Sequence, residues 1–130
     1  MSFRWPLRVY WEDTDAAGIV FYANYLKYFE RARTEWLRAK GFEQEKLRAE
    51  RALGFVVAQT EVRYRAPARL DDALEITVEL TRLGPASLQV AQSAWRDGLL
   101  LAEGTIRVGS VDLGTYRPVP IPPDILATLR

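Results

Sequence analysis

The segment from residue 11 to residue 25 carries the side chains of this chain best suited to chemistry. It reads WEDTDAAGIVFYANY, in which Asp13 and Asp15 flank a threonine and Gly18 leads into an aromatic run. The 130-residue sequence contains no histidine and no cysteine. Ser-His-Asp and Cys-His catalysis are therefore excluded, and any reaction must use carboxylates, hydroxyls, amines and backbone amides.

The lack of histidine and cysteine also bears on metal binding and on the cellular compartment. Zinc lacks its usual nitrogen and sulfur ligands, and no Asp-rich loop has the spacing of an all-oxygen site, so we expect no metal and no other cofactor. A chain without cysteine, and without an apolar leader at its start, is typical of the cytoplasm. Its apolar runs are far shorter than the roughly 20 residues of a membrane helix, which predicts a soluble protein without membrane insertion.

The overall charge gives no reason to expect a nucleic-acid partner. The chain has 18 basic and 17 acidic residues, a formal net charge of +1. Because 48% of its residues are hydrophobic, it can form one domain over residues 1–130 with a core of its own. An anionic ligand must therefore be met by a local group of cations.

One long helix is predicted directly after the acidic segment. Apolar residues recur at helical spacing between Tyr22 and Lys40, and Gly41 follows as a terminating glycine. A further short helix is predicted at the carboxyl end, after the proline-rich stretch of residues 117–123. The long helix must therefore position the residues of the acidic segment.

Alternation of apolar and polar residues predicts the strands. Leu7 to Trp11 is expected to open the first strand. Four later segments alternate and predict strands with one buried face: residues 56–64, 74–81, 88–94 and 100–108. Because Gly84-Pro85 and Asp97-Gly98 are short turns, the strands that they connect must be antiparallel.

These elements combine into an α+β fold in which the long helix covers one face of a five- to six-stranded antiparallel sheet. A helix about 10–12 Å wide covers about two strands spaced near 4.8 Å. Part of the sheet must then stay open or pair with another chain. We therefore predict an obligate dimer or a larger assembly.

Three motifs make the chain similar to a known family. They are RVYWEDTD at residues 8–15, FERARTEWL at residues 29–37 and YRAPARLDD at residues 64–72. They resemble the hotdog-fold acyl-CoA thioesterases of the 4-hydroxybenzoyl-CoA thioesterase type, particularly the Tol-Pal-associated branch. The resemblance implies a helix wrapped by an antiparallel sheet, dimers with active sites between subunits, frequent tetramers, and hydrolysis of a coenzyme A thioester.

The resemblance also implies roles for single residues. Asp15 falls on the catalytic carboxylate, as nucleophile or general base, with Asp13 supporting it. The backbone N–H of Tyr22 falls on the donor to the thioester carbonyl, and Gly18 lets the loop pass close to a ligand. From the residues alone, both aspartates could instead be turn residues whose side chains bond nearby amides.

Substrate recognition is less specified by the sequence. The Tol-Pal branch usually has histidine at the position of Tyr22, whereas the 4-hydroxybenzoyl-CoA enzymes have an aromatic residue there, so acyl preference stays open. Arg63 and Arg65 are candidates for the coenzyme A phosphates, although they could instead be solvated or paired with glutamates. Ser87 is the one residue of its turn that matches the family.

Two functions are weighed. The first is hydrolysis of an acyl-CoA, or of an acyl group on an acyl-carrier protein, by a homodimer or homotetramer. The second is a catalytically silent hotdog protein that binds an acyl-CoA or an acyl-carrier protein as a sensor or scaffold. A hotdog hydratase is disfavoured because its Asp/His pair cannot be assembled without histidine.

Overall fold

A five-stranded antiparallel sheet is the largest element of the fold. The computed structural model describes residues 2–130. Its strands are β1 (Phe3–Arg8), β2 (Leu53–Tyr64), β3 (Ala73–Leu83), β4 (Ser87–Arg96) and β5 (Leu99–Asp112). They lie in the order β1-β3-β4-β5-β2, which leaves β1 and β2 at the edges.

Three helices accompany the sheet. They are α1 (Asn24–Ala39), α2 (Gln44–Arg51) and α3 (Pro123–Leu129). The predicted α+β arrangement is confirmed, with one long helix against the sheet. Within residues 2–130, no helix has the length and apolar character needed to cross a membrane.

The core lies between α1 and the central strands. One stripe of α1 is buried, and it packs chiefly on β3, with further contacts to β1 and β4. The buried apolar residues of α1 are Tyr25, Tyr28, Phe29, Ala32, Trp36 and Leu37. On β3 they meet Leu74, Ile76 and Val78, as the alternation predicted. Each such side chain contributes about 1.5–3 kcal/mol by leaving water.

The ends of two predicted elements were wrong. The first strand is Phe3–Arg8 and not Leu7 to Trp11, because residues 11–13 turn into a short 3-10 helix. Helix α1 begins at Asn24 and not at Tyr22, whose side chain is 63% exposed. Helix α2 was not predicted.

Strand β2 departs most from its predicted pattern. A β-bulge at Ala58 shifts the register, so that Val57 pairs with Val108 and Gln59 pairs with Arg107. Val57 therefore shares the helix side of the sheet with Thr60, whereas the sequence placed Val56 there. The expected buried face is incomplete in the single chain: Phe55 and Val62 pack against the core, but Val56 is 42% and Val57 is 48% exposed. Part of this edge strand thus stays open around Val57, as the width of one helix predicted.

The predicted turns are confirmed. Asp97 and Gly98 alone connect β4 to β5, with φ values of +49° and +79°, the left-handed pair that a tight hairpin requires. The Gly84 N–H donates to the Ser87 carbonyl at 2.8 Å between β3 and β4. Gly41, with φ of +96°, follows the end of α1.

Candidate active site

The acidic segment forms a tight loop that leads into α1. Thr14 and Val20 form a β-bridge, and the Asp15 N–H donates to the Ile19 carbonyl at 2.9 Å. Gly18 closes the loop, its N–H donating to the Asp15 carbonyl at 2.9 Å. Its φ of +80° lies in the left-handed region, which favours glycine.

The loop is also fixed to the rest of the molecule. Ile19 forms a β-bridge with Arg69, and the Val20 N–H donates to the Ala68 carbonyl at 2.8 Å. Both partners lie in the segment between β2 and β3. The position of the loop is therefore set by tertiary contacts as well as by its own turn.

Asp13 is buried at the base of this loop, 3% exposed. Its Oδ2 accepts the Tyr10 N–H at 2.8 Å, and its Oδ1 accepts a hydrogen bond from Asn24 Nδ2 at 2.8 Å. Its carbonyl accepts the Phe21 N–H at 2.9 Å. Asp13 thus ties the loop to the first residue of α1.

The surroundings of Asp13 keep it ionised. Burial acts to raise the pKa of its carboxyl, but hydrogen bonding by the Tyr10 N–H and Asn24, the adjacent Tyr28 hydroxyl and the charge of Arg31 together hold that pKa below its usual value. The Tyr28 hydroxyl is buried and completes no hydrogen bond of good geometry within residues 2–130. Burial first, and then Asp13, raises the pKa of the Tyr28 phenol. The carboxylate is therefore the charged member of this buried group.

Asp15 has the opposite environment. Its side chain is exposed, and Oδ1 accepts the Ala17 N–H at 2.9 Å in a turn of the kind that the sequence left open. Its Oδ2 accepts no hydrogen bond from any residue of the described chain. One carboxylate oxygen is therefore available to a water molecule or to a carbonyl carbon.

Several backbone N–H groups are left without acceptors at the start of α1. The Asn24 N–H donates to the Phe21 carbonyl at 2.8 Å, and the Leu26 N–H donates to the Ala23 carbonyl at 3.1 Å. Within residues 2–130, the N–H groups of Tyr22 and Ala23 donate no hydrogen bond. Both lie at the positive end of the helix dipole, an arrangement that stabilises developing negative charge.

An aromatic hollow of about 310 Å³ adjoins this helix start. The rings of Tyr22 and Tyr64 meet edge to face with centroids 6.2 Å apart, and Tyr25 contacts Tyr64 at 5.6 Å. The lining residues are Ile19, Val20, Tyr22, Tyr25, Tyr64, Arg65, Ala66 and Pro67. An apolar acyl group fits such a lining.

The structure brings some of the predicted site residues together and separates others. Asp15, Gly18 and Tyr22 share one loop and helix start, and Arg65 borders the hollow while pairing with Glu103 at 3.1 Å. Arg63 lies opposite Glu103 and does not line the hollow, but lines a separate groove of about 440 Å³.

Ser87 lies at the far end of the sheet. It pairs with Gly109, which in turn pairs with Val56. From Val56 to Tyr64 the strand spans roughly 26 Å at about 3.3 Å per residue. Within one chain, Ser87 and the aromatic hollow therefore cannot contact the same small group.

Tyr64 and Asn24 were missed as site residues by sequence reasoning. Tyr64 was counted only as one apolar position of a strand, and Asn24 only as part of the aromatic run. The Asn24 side chain reaches Asp13, and the Tyr64 hydroxyl donates to the Tyr22 carbonyl at 2.8 Å. The contact of Tyr64 joins residues 42 positions apart, so no local pattern could indicate it.

Residues 9–129 match the thioesterase-like superfamily. The chain belongs to this family. The acyl-CoA thioesterase YbgC of Haemophilus influenzae is 43% identical over 129 residues, which cover 99% of this chain and 95% of that protein. The acyl-CoA thioester hydrolase YbgC of Escherichia coli is 46% identical over 129 residues, covering 98% and 96%.

A solved structure agrees with this membership of the thioesterase-like superfamily. The crystal structure of a hypothetical protein from Aquifex aeolicus superposes with a TM-score of 0.90 at 31% identity, covering 98% of this chain and 99% of that one. The hotdog fold that the resemblance implied is thereby confirmed for this member of the superfamily.

Proposed function

We propose that this chain hydrolyses acyl-CoA thioesters where the acidic loop meets the start of α1. Membership of the thioesterase-like superfamily, and relatives 43% and 46% identical that are named as acyl-CoA thioester hydrolases, support this reaction. One observation carries the chemistry: the N–H groups of Tyr22 and Ala23 are free beside a loop that holds the exposed Asp15.

In the proposed reaction, Asp15 acts through its unengaged Oδ2. It either attacks the thioester carbonyl carbon or takes a proton from the water that does so. The carbonyl oxygen gains negative charge and accepts a hydrogen bond from the Tyr22 N–H. The tetrahedral intermediate then expels the coenzyme A thiolate. In the covalent route, water afterwards hydrolyses the acyl-aspartyl anhydride.

The aromatic hollow receives the acyl group in this proposal. Its lining is mostly apolar, and Arg65 at its border can approach the coenzyme A portion. Arg63 and Ser87 remain candidates for phosphate contacts, but they face elsewhere in the single chain. They can serve this ligand only if a second subunit brings them to it.

A homodimer or homotetramer is therefore part of the proposal. Strand β2 is a 12-residue edge with exposed valines on both of its faces. Pairing with a second copy would satisfy its open backbone groups and cover those valines. The lack of cysteine fits the cytoplasm, which the proposal takes as the location.

The alternative is a catalytically silent protein that binds acyl-CoA or an acyl-carrier protein. One observation favours it: Asp15 Oδ1 is already engaged by the Ala17 N–H, as in an ordinary turn. The two functions are separated by measuring thiol release from short, long and aromatic acyl-CoAs and from an acylated carrier protein. Turnover supports the hydrolase and ranks its substrates, whereas binding without turnover supports the silent protein.

A further inference from the structure

We propose that Tyr64 is a positioning residue for this reaction, because its hydroxyl holds the peptide group between Tyr22 and Ala23 and makes the Ala23 N–H a second donor to the oxyanion. This inference rests on the proposed thioester hydrolysis. It gives a residue from the far end of β2 a role in the oxyanion-binding part of the site, which is otherwise built from residues 13–24.

The contact is specific to one carbonyl. Tyr64 Oη donates to the Tyr22 carbonyl at 2.8 Å. In a regular helix that carbonyl would accept the N–H four residues later, but the Leu26 N–H donates to the Ala23 carbonyl instead. The Tyr64 hydroxyl therefore takes the place of the missing helical donor.

The ring of Tyr64 is held in place by its neighbours. It meets Tyr22 edge to face at 6.2 Å and Tyr25 at 5.6 Å between centroids. Such pairs contribute beyond simple burial. Partial burial, and then the neighbouring Tyr22, raises the pKa of the Tyr64 phenol. The hydroxyl consequently keeps its proton, and its role as a donor, at neutral pH.

The position of the accepting carbonyl explains why this hydrogen bond affects the reaction. A carbonyl that accepts a hydrogen bond polarises its own peptide group, so the N–H of that group becomes a stronger donor. The N–H that shares a peptide group with the Tyr22 carbonyl is that of Ala23. The Tyr22 N–H is polarised in the same way, since the Phe21 carbonyl accepts the Asn24 N–H at 2.8 Å.

Two adjacent and polarised N–H groups thus face the substrate from the start of α1. The Tyr22 N–H is polarised by a backbone hydrogen bond at the helix start, and the Ala23 N–H is polarised by the Tyr64 side chain from the sheet. Because Tyr64 touches neither the oxyanion nor the attacking group, it acts through Ala23. Its loss should weaken stabilisation of the transition state more than binding of the substrate.

The Tyr64→Phe variant tests this role. It keeps the ring contacts and removes only the hydroxyl. We expect kcat to fall about three- to tenfold, the size of one net hydrogen bond, with KM within about twofold of wild type. Tyr116→Phe is the matched control, since it removes a hydroxyl from a tyrosine that is 72% exposed and outside the site. It should leave kcat unchanged.

An unchanged kcat in Tyr64→Phe, or a loss confined to KM, would overturn the inference. A second readout follows the contact itself: the Ala23 amide proton resonance should move upfield in Tyr64→Phe, and an unmoved resonance would also overturn it. If wild type releases no thiol from any acyl-CoA, both proposals fail together. Wild-type turnover that Tyr64→Phe fully retains would refute only the role of Tyr64.

Discussion

Asp13 and Asp15 are two positions apart and have opposite surroundings. Both oxygens of Asp13 accept hydrogen bonds inside the protein, whereas Asp15 lies at the surface with one oxygen unengaged. Burial with full hydrogen bonding suits an ionised anchor, and an exposed carboxylate with a free lone pair suits a base or nucleophile. The structure therefore separates two residues that look equivalent in the sequence.

Replacing Asp13 by Asn should destabilise the protein. The amide supplies only one acceptor oxygen and no charge, so the variant loses the two charge-assisted hydrogen bonds, and Asn24 must turn its own amide over to accept from the new NH₂ group. We expect a loss of about 2–3 kcal/mol in the free energy of unfolding, measured by urea denaturation. Asp97→Asn, in an exposed turn that tolerates Asn, should change it by less than about 0.5 kcal/mol. Equal stabilities of the two variants would contradict the anchoring role.

The same carboxyl predicts a dependence of stability on pH. Because the pKa of Asp13 is lower in the folded chain than its ordinary 3.8, the unfolded chain binds the proton first as the pH falls. The stabilisation is present above the ordinary pKa and is lost as the pH falls through the folded one. Urea midpoints between about pH 5 and about pH 2.5 should therefore decline more in wild type than in Asp13→Asn. Equal declines of the urea midpoint in the two proteins would contradict this contribution of Asp13.

Local sequence patterns predicted those helices and strands that bury one regular face. The buried stripe of α1 and the alternation of β3 were evident because each faces one continuous core. The bulge at Ala58 was not predictable, since it depends on pairing with Arg107 on another strand. Helix α2 was missed because Leu47 is its only buried residue, so it lacks a clear apolar stripe.

The residues of the candidate site also divide into those that a local motif could indicate and those that it could not. Asp15, Gly18 and Tyr22 could be singled out together because they occupy one contiguous motif. The roles of Asn24 and Tyr64 depend on side chains that meet only after folding. Arg63 and Arg65 are near neighbours in sequence and both lie beside Glu103, yet only Arg65 borders the hollow.

The loop that carries Asp15 should depend on the conformation of Gly18. Its φ of +80° disfavours a side chain, although no atom lies within 4 Å of where a Cβ would sit. Gly18→Ala should therefore cost about 1–2 kcal/mol of unfolding free energy through backbone strain alone. Gly18→Asn should cost less, because Asn adopts the left-handed conformation more readily. Urea denaturation of both variants tests this order, and an Ala variant as stable as wild type would refute it.

The sheet of the single chain has two edge strands, β1 and β2, and the longer of them, β2, exposes valines on both of its faces. Helix α1 packs on β3, β1 and β4, whereas β2 is contacted mainly by the short α2, and Val56 and Val57 stay exposed in the single chain. Exposed valines and unpaired backbone groups on a long edge strand favour association. A second copy would also account for Arg63 and Ser87, which one chain cannot bring to the hollow.

We therefore expect sedimentation to give a dimer or tetramer at micromolar concentration. Val57→Lys should release a folded monomer, because it places a charge on the exposed part of β2. Leu99→Lys is the matched control: Leu99 is also 48% exposed, but it lies at the hairpin between β4 and β5. A wild-type protein that sediments as a stable monomer would contradict the assembly.

The assignment of Asp15 as the catalytic carboxylate of a thioesterase underlies the proposed reaction. Its most direct test is thiol release from the best acyl-CoA substrate by wild type, Asp15→Asn and Asp97→Asn. We predict that Asp15→Asn lowers kcat at least about a hundredfold while the folded state is retained, and that Asp97→Asn matches wild type. Turnover by Asp15→Asn at the wild-type rate would contradict the catalytic role of Asp15.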